Sequence, residues 1–204
     1  MAMSKKTPSL TVLSIFVLAG LVALSGCDLF TGTAGRITIK LKDAPFPYDY
    51  VSEVNVTVNR VEVLGVSANR NWLVADIAQN LNLMQLRDGK TATLVPDVEI
   101  PAGKYDRLRI FIKRNATVVL TDGREFSVNH AADLPDTLRI PTFEFKHGDD
   151  EAEVLLDFDV ESSFTAKMSP DDSTITGIQG FAFTPKLVTE SLRLNNETLP
   201  VPAQ

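Results

Sequence analysis

The chain of 204 residues has one cysteine, two histidines and one tryptophan. A single thiol closes no disulfide within the chain, so the fold must hold by packing alone. No Cys/His cluster offers a zinc site. His130 and His147 both stand in polar, turn-like surroundings, a thin supply of groups for acid–base work near neutral pH. There is no Gly-x-Ser-x-Gly elbow to present a nucleophilic serine, no glycine-rich phosphate loop and no dinucleotide fingerprint. The expectation is a protein that is not an enzyme and uses no cofactor and no metal.

Positive charge is also scarce. Twenty Lys and Arg stand against 26 Asp and Glu, a net charge of −6. Nucleic acid is bound by neutralising phosphates with basic clusters, and the balance here argues against it. It argues equally against a polybasic grip on anionic lipid.

Long apolar runs are missing too. The apolar stretch Leu10 to Leu24 is shorter than the ~20 residues a helix needs to cross a bilayer, and Thr11, Ser14 and Gly20 interrupt it. Lys5 and Lys6 precede it and small residues close it, the three-part layout of an export leader. The run ends in Leu24-Ser25-Gly26-Cys27, which resembles the lipobox of bacterial lipoproteins. That resemblance implies cleavage after Gly26, a thioether from Cys27 to diacylglycerol, and acylation of the new amine by a fatty acid such as palmitate. Three acyl chains exceed the two-signal threshold for stable anchoring. Residues 1–26 then read as a signal peptide and 27–35 as a lipidated tether. The protein is expected in the cell envelope, on the outer membrane or the outer face of the inner membrane. Removing the leader takes two lysines and no acids, leaving 18 basic and 26 acidic side chains and a net charge of −8.

From residue 36 onward the dominant period is two. Ile37, Ile39 and Leu41 alternate with Thr38, Lys40 and Lys42; Val54, Val56 and Val58 with Asn55, Thr57 and Asn59. Leu108, Ile110 and Ile112 follow the same rule, as do Val154, Leu156, Phe158 and Val160 against Glu153, Asp157, Asp159 and Glu161. Such alternation makes half-buried strands. Turn signals separate them at Asp88-Gly89, Pro101-Ala102-Gly103, Asp122-Gly123, His147-Gly148-Asp149 and Ser169-Pro170-Asp171-Asp172. Thr121-Asp122-Gly123-Arg124 is the best tight hairpin. The apolar parity switches from even at Val58 to odd at Val61, which predicts a β-bulge near Asn59-Arg60. Ile77 to Leu86 and His130 to Leu134 have room for a short helix or a single turn. Residues 36–194 are expected to form an all-β domain, an antiparallel β-sandwich of immunoglobulin-like or transthyretin-like kind with short helical turns only. Asn195 to Gln204 carries no strand pattern and reads as a C-terminal tail.

Several segments resemble, in order and spacing, the prokaryotic family called domain of unknown function 4382. They are Ile39-Lys40-Leu41-Lys42-Asp43-Ala44-Pro45, the run ending in Arg60-Val61-Glu62-Val63, and Ile100-Pro101-Ala102-Gly103-Lys104-Tyr105. Leu156-Asp157-Phe158-Asp159 and Phe183-Thr184-Pro185-Lys186-Leu187 complete the series. The resemblance implies a β-sandwich and an exported or lipid-anchored protein, and it implies no activity.

Two groups of residues are candidates for a site. Phe46, Tyr48 and Tyr50 cluster in a proline-flanked loop, with Trp72 after a polar turn. Exposed, they suit a ligand such as a sugar ring; buried, they cap the ends of the sandwich. Asp157 and Asp159 share a strand face at roughly 6–7 Å, a separation compatible with paired-carboxylate glycoside chemistry. Acids standing in water on an open sheet have nothing to raise a pKa, which favours a solvated face; the family resemblance implies a structural role as the other reading, such as accepting backbone N–H groups at a strand end. The acidic run His147 to Glu153 reads as a soluble loop rather than a calcium site. The leading expectation is a non-catalytic envelope lipoprotein whose sandwich is a binding or structural module, with a glycan or a protein as partner and the membrane reached through its lipid. The alternative is a glycan-active enzyme or sensor using paired carboxylates.

Overall fold

The computed structural model describes residues 34–43, 49–67, 71–129 and 135–202. Cys27 with its leader and most of its tether, Phe46, Tyr48, His130 and the segment His130 to Leu134 lie outside the described residues.

Alternation becomes strands with one face in the core. β1 (Ala34–Asp43) buries Ile37, Ile39 and Leu41 completely while Thr38, Lys40 and Lys42 stay partly exposed. β2 (Val51–Gly65) is followed by β3 (Asn71–Asn82), a 3₁₀ turn at Leu83–Leu86, β4 (Ala92–Pro101), β5 (Gly103–Ile112), β6 (Asn115–Leu120) and β7 (Glu125–Asn129). Then come β8 (Pro135–Phe145), β9 (Glu151–Phe158), the helical turn α1 (Val160–Ser163), β10 (Phe164–Met168), a 3₁₀ turn at Ile175–Gly177, β11 (Ile178–Phe183), β12 (Leu187–Leu194) and β13 (Glu197–Leu199). One sheet has the order β13-β12-β9-β1-β4. The other runs β7-β6-β2-β5-β8 with β3 also on β2, and β10-β11 form a separate ribbon. The inner faces of both sheets feed one apolar core, so the domain is an all-β sandwich.

β2 is long enough to pair on both edges. Asn55 stands opposite both Asn82 of β3 and Thr117 of β6, and Val58 opposite both Gln79 of β3 and Ile112 of β5. β5 and β6 therefore follow one another along a single edge of β2, with β3 on the other. The predicted bulge is present: the register slips between Val58 and Arg60 on both edges, and Val58 and Val61 are both fully buried despite their odd separation. The Asp122-Gly123 hairpin joins β6 to β7, with Gly123 at φ +88°, a conformation glycine adopts without a Cβ penalty.

The antiparallel sandwich stands with one exception in its pairing, and three further expectations need correction. The pairings are antiparallel except one, since β1 and β9 run parallel; alternation fixes which residues face inward but not strand direction. Ile77 to Asn82 belongs to β3, and only Leu83–Leu86 turns, as a 3₁₀ turn whose N-cap Asn82 accepts the N–H of Met84 at 3.1 Å. β9 ends at Phe158, and Val160 opens α1 while remaining buried. Residues 197–199, read as tail, form β13 against β12. Asn195 and Asn196, at φ +49° and +68°, make the two-residue turn with both central residues left-handed that hairpins favour.

The Pro101 to Tyr105 segment explains its own composition. Tyr105 is 1% exposed, donates its hydroxyl to the Pro101 carbonyl at 2.6 Å, and packs its ring against Phe143 and Phe145. Phe145 in turn lies over Gly35. A methyl group at Gly35 would run into a ring fixed by that aromatic stack. Gly35→Ala is expected to destabilise the domain by about 1–3 kcal/mol, the usual cost of overpacking. Urea unfolding of the variant beside the parent measures it, and an unchanged midpoint would show that Phe145 gives way freely.

Candidate functional site

Strict alternation along β1 carries one carboxylate inward. Ile37, Ile39 and Leu41 share parity with Asp43, and Asp43 is 5% exposed at the end of the strand. Among the described residues neither of its carboxylate oxygens has a hydrogen-bond partner. A buried polar group without a partner is costly. Asp43 sits opposite Phe158 in the parallel register, and Lys42 opposite Asp157. Asp157 and Asp159 thus flank the residue facing Asp43, and both push its pKa upward.

The opposing charge comes from Arg87. It follows the Leu83–Leu86 turn, which packs against both β1 and β2 and so closes this end of the core. The Arg87 guanidinium lies close enough to favour the Asp43 carboxylate, yet its Nε is buried and makes no hydrogen bond among the described residues. Burial wins over that attraction. It raises the Asp43 carboxyl to about 7, Arg87 opposes the rise, and Asp157 and Asp159 add to it. Asp43 therefore keeps its proton in mildly acidic solution and releases it as pH rises through about 7.

Asp157 and Asp159 do not act as a matched pair. Asp157 remains on β9, across from Lys42, whose ammonium also meets Glu190 at 2.8 Å. Asp159 has left the strand and caps α1, accepting the Ser162 N–H at 2.9 Å. Burial works against ionisation of Asp159, but that bond and the Lys186 ammonium at 3.6 Å hold its pKa below the usual value. Its backbone N–H reaches the Lys186 carbonyl, and Lys186 N–H reaches Ser163 Oγ. The two acids are thus tied into the closure of the sandwich end.

The remaining sequence candidates are placed apart. Tyr50 is half-buried against the core just before β2. Trp72 is 36% exposed on β3, opposite Val63. Val51 and Val63 are separated by on the order of 35 Å of strand, so Tyr50 and Trp72 form no common surface. In the acidic loop, Asp150 points back into the fold. Its carboxylate accepts the N–H groups of Lys146 and His147 at 2.6 and 2.8 Å and the Asn195 side-chain amide at 2.8 Å. The Asn195 bond first and the two backbone bonds next lower its pKa to about 2. Its oxygens are spent on structure. Among the described residues no group of three or more His, Cys, Asp or Glu is placed to hold a metal.

Asp43 was missed as a site residue. The signal was present, a charged side chain in phase with Ile37, Ile39 and Leu41. The convergence of Asp43, Asp157 and Arg87 depends on the parallel pairing of β1 with β9, which alternation does not encode.

A family model described as Domain of unknown function (DUF4382) matches residues 34–185, and the chain belongs to that family. No curated protein and no solved structure matches the chain.

The elevated Asp43 pKa makes stability depend on pH with a definite sign. Between about pH 4 and 7 the folded carboxyl keeps a proton that the unfolded one has released, so stability is full below the unfolded value and falls as pH rises through 7. A shift of this size corresponds to on the order of 2–4 kcal/mol. Asp43→Asn, neutral at every pH, is expected to exceed the parent in stability at pH 8 and to match it near pH 4. Chemical denaturation at both pH values tests this. A parent-minus-variant difference that stays constant with pH removes Asp43 as the titrating group.

Proposed function

We propose that this member of the DUF4382 family is a non-catalytic lipoprotein of the cell envelope. Its β-sandwich serves as a binding or structural module, held at the membrane by lipid on Cys27. The observation that carries the reading is Leu24-Ser25-Gly26-Cys27, standing directly after a short leader-like apolar run that contains the approach to the chain's one cysteine. An all-β sandwich supports it. Four concavities among the described residues, of about 220 to 330 Å³, are lined by side chains other than Asp43, Asp157 and Asp159. Among the described residues no helix is long and apolar enough to cross a membrane.

One observation favours a second reading, a glycan-active protein using paired carboxylates. A carboxyl raised to about 7 beside two further acids is what a general acid in glycoside cleavage requires. Access argues against it. Asp43 is 5% exposed, and a glycosidic oxygen must come within hydrogen-bond reach of the acid that protonates it. Asp159 is engaged by Ser162 and Lys186, which removes it as the free partner.

Two experiments test these readings. Cys27→Ser protein is expected to remain unprocessed or to leave the membrane fraction, while mass spectrometry of the parent finds acyl chains on a mature N-terminus at Cys27. A Cys27→Ser protein that fractionates and migrates like the parent, with no acyl mass on the latter, overturns the anchor. For the second reading, the protein is incubated with a panel of envelope and plant glycans. No cleavage is expected; cleavage abolished by Asp157→Asn or Asp159→Asn would reverse the choice.

A further inference from the structure

The two outer faces of the sandwich carry opposite charge. On the β12-β9-β1-β4 face acids outnumber their partners: Arg36 is shared by Asp97 and Glu99, while Lys40 and Lys42 are matched singly by Glu153 and Glu190. On the β2-β5-β8 face the sharing is reversed. Glu62 serves both Arg60 and Arg109, at 3.5 and 3.2 Å, and Glu144 serves both Lys104 and Lys146. A chain of net charge −6 thus concentrates surplus positive charge on one sheet face, a separation that steers anionic partners to that side.

The surplus is greatest between β5 and β8. Arg107 and Arg139 stand directly opposite one another across the two strands, an arrangement of like charges that costs stability in a sheet. Arg107 is held by Asp106 at 3.0 Å and donates Nη2 to the Gly65 carbonyl at 3.3 Å, while among the described residues no carboxylate pairs with Arg139. Both arginines line a concavity of about 290 Å³ with Asp106, Ile140, Thr142 and Pro202. Pro202 supplies an apolar edge, and Thr142 and Asp106 supply a hydroxyl and an acceptor suited to sugar hydroxyls. Two guanidinium groups against one carboxylate leave a single positive charge, which matches one monoanionic group. The planar fork of Arg139 can meet that group in two-point fashion, with the Arg107 charge beside it. Nearby on the same face Arg60 lies over the half-exposed Phe111 ring, 5.7 Å from its centroid, extending a cationic and aromatic surface along β5.

We infer that the concavity between β5 and β8 is a subsite for a carboxylate-bearing sugar, and that the basic face around it docks the anionic polysaccharide carrying that sugar. The inference rests on the binding-module reading and gives it a ligand class.

The test uses the full-length protein purified in detergent and titrated with polygalacturonate, with its methyl-esterified form, and with detergent-matched phosphatidylglycerol bicelles. Polygalacturonate is expected to bind, with affinity falling at least tenfold between 50 and 300 mM salt, on the order expected when several ionic contacts are screened, while the ester and the bicelles bind at least tenfold more weakly. The double variant Arg107→Gln/Arg139→Gln should lose at least tenfold in polygalacturonate affinity and melt no lower than the parent, since it relieves a like-charge pair. Arg36→Gln/Arg193→Gln, an equal charge change on the opposite face, should bind as the parent does. Undiminished binding by the Arg107/Arg139 variant, equal loss in the opposite-face variant, tighter binding to bicelles, or no binding of polygalacturonate overturns the inference. Membrane retention through Cys27 and the response to neutral glycans judge the module reading separately, so the two can fail independently.

Discussion

A strand of fifteen residues has to keep one face in the core along its whole length, and the rest of the sandwich depends on how β2 meets that demand. Regular pleating would carry Val61 and Val63 to the wrong side after Val58, because a shift of one residue exchanges the two faces. The bulge at Asn59-Arg60 absorbs the extra residue, and both neighbouring strands slip register at the same place. The same irregularity places Arg60 and Glu62 outward, where they meet Phe111 and Arg109 of β5. Core packing and the charge pattern of the outer face are consequences of one local irregularity.

The ends of β1 and β9 pose a different problem. β1 and β9 lie side by side and parallel in the centre of their sheet, and both must stop where the core stops. Asp43 ends β1 still in phase with the core, and Asp159 ends β9 by capping a helical turn. One carboxylate keeps its charge because Ser162 and Lys186 receive it. The other, with no hydrogen bond, yields to burial and holds its proton. Identical side chains two strands' ends apart thus have different charge states, and the difference is made by the supply of N–H groups and not by the acids themselves.

Much of this was legible in the sequence because burial on a sheet has period two. Ile37, Ile39 and Leu41, the parity break after Val58 and the Asp122-Gly123 hairpin all follow from patterns a few residues long. What escaped depends on contacts distant along the chain. The parallel pairing of β1 with β9 joins residues more than a hundred positions apart, and Asp43 becomes a buried neighbour of Asp157 only through it. β13 escaped for a different reason. Its three residues are too few to show alternation, and its hairpin depends on left-handed Asn195 and Asn196 in a segment otherwise marked by prolines. Trp72 and Tyr50 were visible as aromatics, but their separation along β2 is a fact of strand length and pairing.

The structural motifs also bear on where function can reside. The Pro101 to Tyr105 segment, Gly35 beneath Phe145, and the Asp150 carboxylate holding the β8–β9 turn to Asn195 are committed to packing and hydrogen bonding. Arg124 is committed likewise: it donates to the carbonyls of Ile175 and Ile178 at 2.6 and 3.0 Å and so ties the β10-β11 ribbon to the β6-β7 hairpin. Groups already engaged in this way gain little by meeting a ligand, since a new contact must first break an old one. Arg139 is in the other position. Its side chain is exposed, faces a like charge across the strand pair, and among the described residues has no carboxylate to offset it. A fold that leaves this repulsion standing at an exposed position gains from an anion at that point, because the anion removes an existing cost as well as adding a contact.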